Sequence, residues 1–194
     1  MPVSEAAPDD AARRNGLVFG TTARINPRKR LEDLLEALRL ANGRMPAYTL
    51  KIAGGVEIGC EEYAARLRAL SEGLPVKWVG EVSDLPAFHR QLDAFVMVSE
   101  PAGCPNASLE AMAAGLAVIA TDIGGASEQV IDGRTGRIVP GRDPQALAAA
   151  MAELAASPGL RQQMGRAGRD LIRDRFSLER MIADYRRICL EDGL

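Results

Sequence analysis

Cysteine is scarce in this chain. Cys60, Cys104 and Cys189 stand far apart, odd in number and without a C-x-x-C pair. That pattern disfavours a disulfide framework and a zinc site, and the expected setting is a reducing cytoplasm. No apolar run approaches the roughly 20 residues a membrane span needs, and the first residues lack the apolar stretch of a signal peptide. Neither sign of charge is in excess: 24 basic against 26 acidic residues give a formal net charge of −2. No global field therefore recruits nucleic acid or an anionic membrane. The familiar glycine signatures for phosphate are also missing. Gly54-Gly55-Val56-Glu57-Ile58-Gly59 meets G-x-x-x-x-G, but Cys60-Glu61 follows where a P-loop needs Lys and Ser or Thr. No G-x-G-x-x-G follows the first apolar run, which disfavours a dinucleotide fold of the usual type. The glycines at 54 and 55 instead suit a turn and a close backbone approach, with a ligand contact as the other reading.

What is present is an alternation of two periods. The 194 residues suit one domain with a real core. Residues 1–15 are small, polar and charged, and read as a loose leader or an artificial boundary before a domain at 16–194. Short apolar runs predict strands at 16–21, 48–53, 76–79, 94–98, 116–120 and 136–139. Helical spacing falls between them, at 30–40 (Leu31, Leu34, Leu35, Leu38), 61–70, 85–92, 106–114 and near 127–131. Short strands alternating with helices mean βαβ units and right-handed crossovers. The expected fold is α/β, an open doubly wound parallel sheet of about six strands, binding ligands beyond the strands' carboxyl ends. The tail reads differently: Asp143-Pro144 starts a helix, another runs 160–174, and Ser177 caps a third with Leu178, Met181, Ile182, Tyr185, Ile188 and Cys189 on one face. With no strand between them, these helices are expected to wrap the sheet's edge.

The most telling segment is Gly103-Cys104-Pro105-Asn106-Ala107-Ser108-Leu109-Glu110-Ala111-Met112-Ala113-Ala114-Gly115. It sets a tight loop, a helix start and one carboxylate directly after an apolar strand. An anion can sit on the free N–H groups of a helix N-terminus. A carboxylate one turn further in can accept hydrogen bonds from hydroxyls attached to that anion. Glu110 could be an ordinary helix-surface acid, yet its apolar neighbours leave little obvious polar face. The second signal is Arg24, Arg28, Lys29 and Arg30 just after strand one, at the helix end where the macrodipole is already positive. On charge alone this is a solvated loop compensated by Glu32 and Asp33; its position at the sheet's carboxyl edge suits a diphosphate. His89 reads as an ordinary surface or satisfied histidine, Cys104 as a small buried turn residue, and Trp78 as core packing.

Together these pieces resemble the C-terminal, nucleotide-sugar-binding domain of GT-B glycosyltransferases, specifically the retaining family 4. The resemblance covers nearly everything from Gly16 to the end. It rests on Arg24 and Lys29 after strand one, Ala53-Gly54-Gly55, Trp78-Val79-Gly80, the segment from Gly103 to Gly115, Thr121-Asp122-Ile123-Gly124-Gly125 and Asp132-Gly133-Arg134-Thr135-Gly136.

The resemblance implies that Arg24 and Lys29 hold the donor's diphosphate and stabilise the leaving nucleoside diphosphate without a metal. It implies that backbone groups at Asn106, Ala107, Ser108 and Leu109 meet phosphate and that Glu110 takes the ribose hydroxyls. Gly54, Gly55, Gly80, Glu81 and Val82 would line the nucleotide. The sugar would meet Glu100, Ala102, Gly103 and Cys104, and here the chain departs from the family. Its paired glutamates stand eight positions apart, and eight before Glu110 is Ala102, with Glu100 two residues off.

A nucleoside diphosphate sugar is thus the implied donor substrate, with no further cofactor. The acceptor-binding N-terminal domain would lie elsewhere, together with any membrane contact. Polysaccharide biosynthesis is the implied setting, and this chain alone is expected to bind nucleotide without transferring sugar. A non-catalytic nucleotide-sugar-binding or regulatory module is the alternative. A response-regulator-like domain ranks low because strand one ends in Thr21-Thr22 rather than an acidic cluster.

Overall fold

The chain's apolar runs pair side by side. In a computed structural model, which describes residues 16–100, 103 and 105–191, they form β1 (Leu17–Thr22), β2 (Tyr48–Ala53), β3 (Val76–Gly80), β4 (Ala94–Met97), β5 (Ala117–Thr121) and β6 (Gly136–Val139). All pair in parallel, in the order β3-β2-β1-β4-β5-β6. The expected doubly wound α/β sheet of six strands is what forms. Every residue of β4 and β5 is buried, as strands covered on both faces must be.

Period-two alternation divides the strand side chains between two cores. Leu17, Phe19, Val96 and Ile119 face one; Val18, Phe95, Met97 and Val118 face the other. The first core is covered by α1 (Leu31–Ala41), α2 (Glu61–Leu70) and α6 (Pro144–Ala156), the second chiefly by α3 (Leu85–His89), α4 (Asn106–Ala113) and α5 (Ala126–Gln129). The stripe of α1 is fully used, Leu31, Leu34, Leu35 and Leu38 being at most 1% exposed. Each such leucine contributes about 2 kcal/mol of burial. The cap at Asp143 forms as expected, its Oδ1 accepting from Ala146 N–H at 2.9 Å.

α7 (Pro158–Arg175) follows α6 and reaches both cores, with Met164 in the first and Ile172 in the second. The tail therefore does pass round the β6 side of the sheet. Close approach permits it: a Cβ on Gly165 would stand 2.0 Å from the Gly115 carbonyl oxygen. The last helix, α8 (Leu178–Glu191), carries the expected stripe on one face. Yet Leu178, Met181, Ile182, Tyr185 and Ile188 are all 41–65% exposed. Among the described residues no helix is long and apolar enough to cross a membrane.

Expected element ends mostly hold to within a residue or two; the exception is the helix read as 85–92, which stops at His89. The chain must turn there because Asp93 is held against β1, its N–H donating to the Val18 carbonyl and its carboxylate accepting from Val18 N–H, both at 2.7 Å. Residues 1–15, read as a leader, lie outside the described residues. Trp78 is partly buried against the first core, as expected, and donates to Ser71 Oγ at 3.1 Å.

His89 corrects the expectation of a surface or satisfied histidine. It is 2% exposed, lies edge-on to Phe95 with ring centres 5.7 Å apart, and its Nε2 has no hydrogen-bond partner among the described residues. Burial holds its pKa below the ordinary histidine value. The folded state therefore refuses a proton that the unfolded chain accepts, and stability is lost as pH falls from about 6.5 toward the lower folded value. Urea midpoints at pH 7 and pH 5 should show this loss, and His89→Leu should make the decline shallower.

Candidate functional site

Where neighbouring strands send their crossovers to opposite faces, an open parallel sheet leaves a crevice. The strand order reverses between β1 and β4, and a cleft of about 230 Å³ opens at their carboxyl ends. Thr21, Thr22 and Ala23 line it from the β1 side and Met97 to Glu100 from the β4 side. Pro105, Asn106 and Ala107 bring the start of α4, and Ile123 the loop after β5. Enclosing sites for a whole small-molecule ligand run to roughly 300–1,000 Å³. This cleft suits part of a ligand, with the remainder outside.

Lys29 is the cation in the lining. It ends a 3-10 turn over Pro27–Lys29 and is half-buried, with no carboxylate within ion-pair distance among the described residues. Its neighbour Arg30 is differently engaged. Arg30 forks onto Asp33 at 2.7 and 3.0 Å and pairs with Glu32 at 3.1 Å. The hydrogen bonds to Asp33, with the attraction of Asp33, Glu32 and Glu100, raise its pKa. So the compensation expected of Glu32 and Asp33 serves Arg30, and Lys29 keeps its charge uncompensated.

Arg24 is not in the lining. Its guanidinium meets Glu57 at 3.3 Å and is 75% exposed. An exposed pair of this kind is worth about 0–1 kcal/mol, so Arg24 can be drawn away at little cost.

The loop that carries these cations is strapped to the loop after β2. Ala23 N–H donates to Ala53 O at 2.9 Å, Ile25 N–H to Gly55 O at 2.8 Å, and the Asn26 side chain to Glu57 at 2.8 Å. Gly54 makes the approach possible, with φ 148°; a Cβ there would lie 1.8 Å from the Ala23 carbonyl oxygen. Its N–H donates to Gly80 O at 2.7 Å, and the Glu81 carboxylate lies over Gly55. Gly54, Gly55, Gly80 and Glu81 thus come together beside Arg24, while Val82 packs at the margin of the second core.

Helix α4 presents its N-terminus to the cleft. Ser108 is fully buried, and its hydroxyl bonds Pro105 O at 2.9 Å and Gln129 Oε1. The serine side chain therefore braces the loop, leaving only its amide for a ligand. Leu109 packs at the edge of the second core. Glu110 is half-buried without a hydrogen-bond partner among the described residues, and burial raises its pKa. A carboxylate in that position gains from a hydroxyl donor.

Glu100 lines the cleft, paired with Arg142 at 2.6 Å and Arg30 at 3.8 Å. Gly103 is exposed, and its carbonyl accepts from Gly125 N–H at 3.1 Å; Ala102 and Cys104 lie outside the described residues. Arg142, Ser99 and Ile123 were not among the candidates read from the sequence. Only Ile123 had a signal, its motif after strand five. Among the described residues no three His, Cys, Asp or Glu converge as a metal site.

The model of the family described as glycosyl transferases group 1 matches residues 5–171. A GDP-mannose-dependent alpha-(1-6)-phosphatidylinositol monomannoside mannosyltransferase of Mycolicibacterium smegmatis is 34% identical over 190 residues, covering 84% of this chain and 47% of that protein. The chain thus spans about half the length of the curated relatives it matches. The crystal structure of the C-terminal domain of a glycosyl transferase group 1 family protein, LpcC of Francisella tularensis, superposes with a TM-score of 0.75 at 25% identity, over 84% of this chain and 87% of that one. Anabaena HepE in complex with UDP and glucose superposes with a TM-score of 0.80 at 25% identity, over 88% of this chain and 48% of that one.

Gly54→Ala should destabilise the chain by at least about 2 kcal/mol, because the clash and the backbone strain act together. Gly59→Ala supplies the contrast, since φ is 82° there but nothing lies within 4 Å of the added carbon. It should cost about 1 kcal/mol. Denaturant midpoints of the two variants measure the difference.

Proposed function

The chain belongs to the glycosyl transferases group 1 family, and from that premise we propose that residues 16–194 are the donor-binding half of a GT-B enzyme. The whole enzyme would move a sugar from a nucleoside diphosphate sugar to an acceptor with retention. The observation that carries this reading is Lys29, a half-buried cation without a carboxylate partner among the described residues, lining the same cleft as the N-terminus of α4. Two unsatisfied positive features around one crevice suit a diphosphate.

In this reading the bond between the anomeric carbon and the diphosphate breaks, and its electron pair leaves on the diphosphate oxygen. Lys29, joined by Arg24 once it releases Glu57, stabilises that charge without calling on a metal. The amides of Asn106, Ala107 and Ser108 hold phosphate, with Leu109 continuing the helix behind them. Glu110 accepts from the ribose hydroxyls. Gly54, Gly55, Gly80, Glu81 and Val82 border the nucleotide, the base meeting backbone atoms near 80–82. Gly103 and Glu100, with Ala102 and Cys104, would border the sugar.

Relatives named for GDP-mannose and a structure holding UDP make guanine and uracil the bases to try first. The acceptor would bind a second, N-terminal domain, so this chain alone binds nucleotide and transfers nothing; the reaction would run in the cytoplasm. Ala102, standing where the family pattern has a glutamate, favours one other reading, a non-catalytic nucleotide-sugar-binding module. Sugar transfer on adding an N-terminal acceptor domain would exclude it.

Calorimetric titration with UDP, GDP and ADP tests the core of the proposal: heat is expected with at least one, and none with any would sink it. Lys29→Met should weaken that binding roughly tenfold to a hundredfold, the worth of a hydrogen bond to a charged group, and leave the thermal midpoint unchanged.

Glu110→Gln should separate stability from affinity. The raised pKa of Glu110 means the fold opposes its ionisation, so stability is lost as pH rises from the unfolded value through the folded one and stays lost at pH 7. Removing the charge should keep or raise the thermal midpoint at pH 7 while weakening nucleotide binding about tenfold.

A further inference from the structure

Among the described residues only two without a glycine's freedom hold a left-handed backbone, and both are arginines: Arg30 at φ 46° and Arg142 at φ 58°. That conformation is unfavourable for an ordinary side chain and persists where the surroundings enforce it, most often at functional sites. Arg30 precedes α1; Arg142 lies in the turn between β6 and α6. Far apart in the chain, their guanidinium groups converge on one atom. Arg142 Nη2 lies 2.6 Å from Glu100 Oε1, and Arg30 Nε lies 3.8 Å from the same oxygen.

The rest of Glu100 is equally constrained. Its N–H donates to the Arg28 carbonyl, which also accepts from the neighbouring Ser99 hydroxyl at 3.3 Å. Its second carboxylate oxygen, Oε2, has no partner among the described residues, and the residue lines the cleft. One oxygen is tied back and the other is left over.

We propose that Arg30 and Arg142 are positioning residues of the donor site, clamping Oε1 of Glu100 so that Oε2 accepts a hydrogen bond from a hydroxyl of the donor's sugar. The inference rests on the donor-site reading above. A carboxylate accepts hydrogen bonds and repels phosphate, so Glu100 suits a neutral, hydroxyl-bearing part of the ligand. Lys29, in the same cleft, suits the anionic part. The clamp also supplies a carboxylate two positions from Ala102. The hydrogen bond from Arg142, with the longer-range attraction of Arg30, reduces the rotamer freedom that a hydrogen bond to sugar would otherwise have to freeze.

The test compares bare and sugar-bearing ligands on this chain, by calorimetry with UDP against UDP-glucose and GDP against GDP-mannose. Arg142→Gly removes the clamp's shorter arm without endangering the fold, because glycine adopts φ 58° freely. Its thermal midpoint should be unchanged or higher. Glu100→Ala removes the acceptor itself. In both variants the affinity for the conjugate, relative to its bare diphosphate, should fall about tenfold. An unchanged ratio in either variant, or an equal loss for both ligands, overturns the clamp and leaves the nucleotide reading standing. Failure of the wild-type chain to bind any diphosphate overturns the donor-site reading and this inference with it.

Discussion

Every strand of the sheet runs the same way, and the site depends on that constraint. A parallel strand can be joined to its neighbour only by a crossover, and crossovers of one hand lie on one face until the strand order turns back. Between β1 and β4 it turns back, so their loops diverge and the space between them cannot be filled by either. Lys29 comes from one loop, Glu100 from the other, and the start of α4 from the continuation of the second. The cleft is what this topology leaves unfilled at its point of reversal.

A crevice alone does not fix a charge to better than a side chain's length. Here the precision comes from backbone-to-backbone contact between loops, made possible where Gly54 presents no Cβ to the Ala23 carbonyl. Backbone hydrogen bonds from Ala23 and Ile25 and the Asn26–Glu57 contact turn two surface loops into one surface. Arg30 then begins α1 in a left-handed turn, with its own side chain occupied by Asp33 and Glu32. Lys29, one residue earlier, is left with no carboxylate partner among the described residues. Electrostatics at the site is therefore decided by which of four neighbouring cations the loop turns into the cleft without a carboxylate beside it.

The elements were legible because burial on two faces imposes its own spelling. Runs such as Ala94 to Val98 and the Leu31-Leu34-Leu35-Leu38 stripe have one economical arrangement each, and they adopt it. The helix cap at Asp143 was readable for the same reason, since its chemistry is local. Where the reading failed, distant partners decided. The helix after Asp84 stops early because Asp93 binds β1, and His89 is buried because its ring packs edge-on against Phe95 of β4.

The pairing of Glu100 with Arg142 spans 42 residues and leaves no periodic trace. The left-handed backbone at positions 30 and 142 falls on arginines, not on a glycine or asparagine that would announce it. Thus the strands' carboxyl edge could be named from the sequence, but the pairing among its charges could not.

The last helix belongs to a different energetic class from the rest of the molecule. α8 packs extensively on no other described element, and its apolar side chains keep about two-fifths or more of their contact with water. An isolated helix of 14 residues is marginal in water. Its amides should therefore exchange with solvent through local opening, long before those of β4 and β5, whose exchange requires the sheet itself to come apart. Hydrogen exchange in this chain would then be a two-tier process, with a labile C-terminal helix on a core that opens only as a whole.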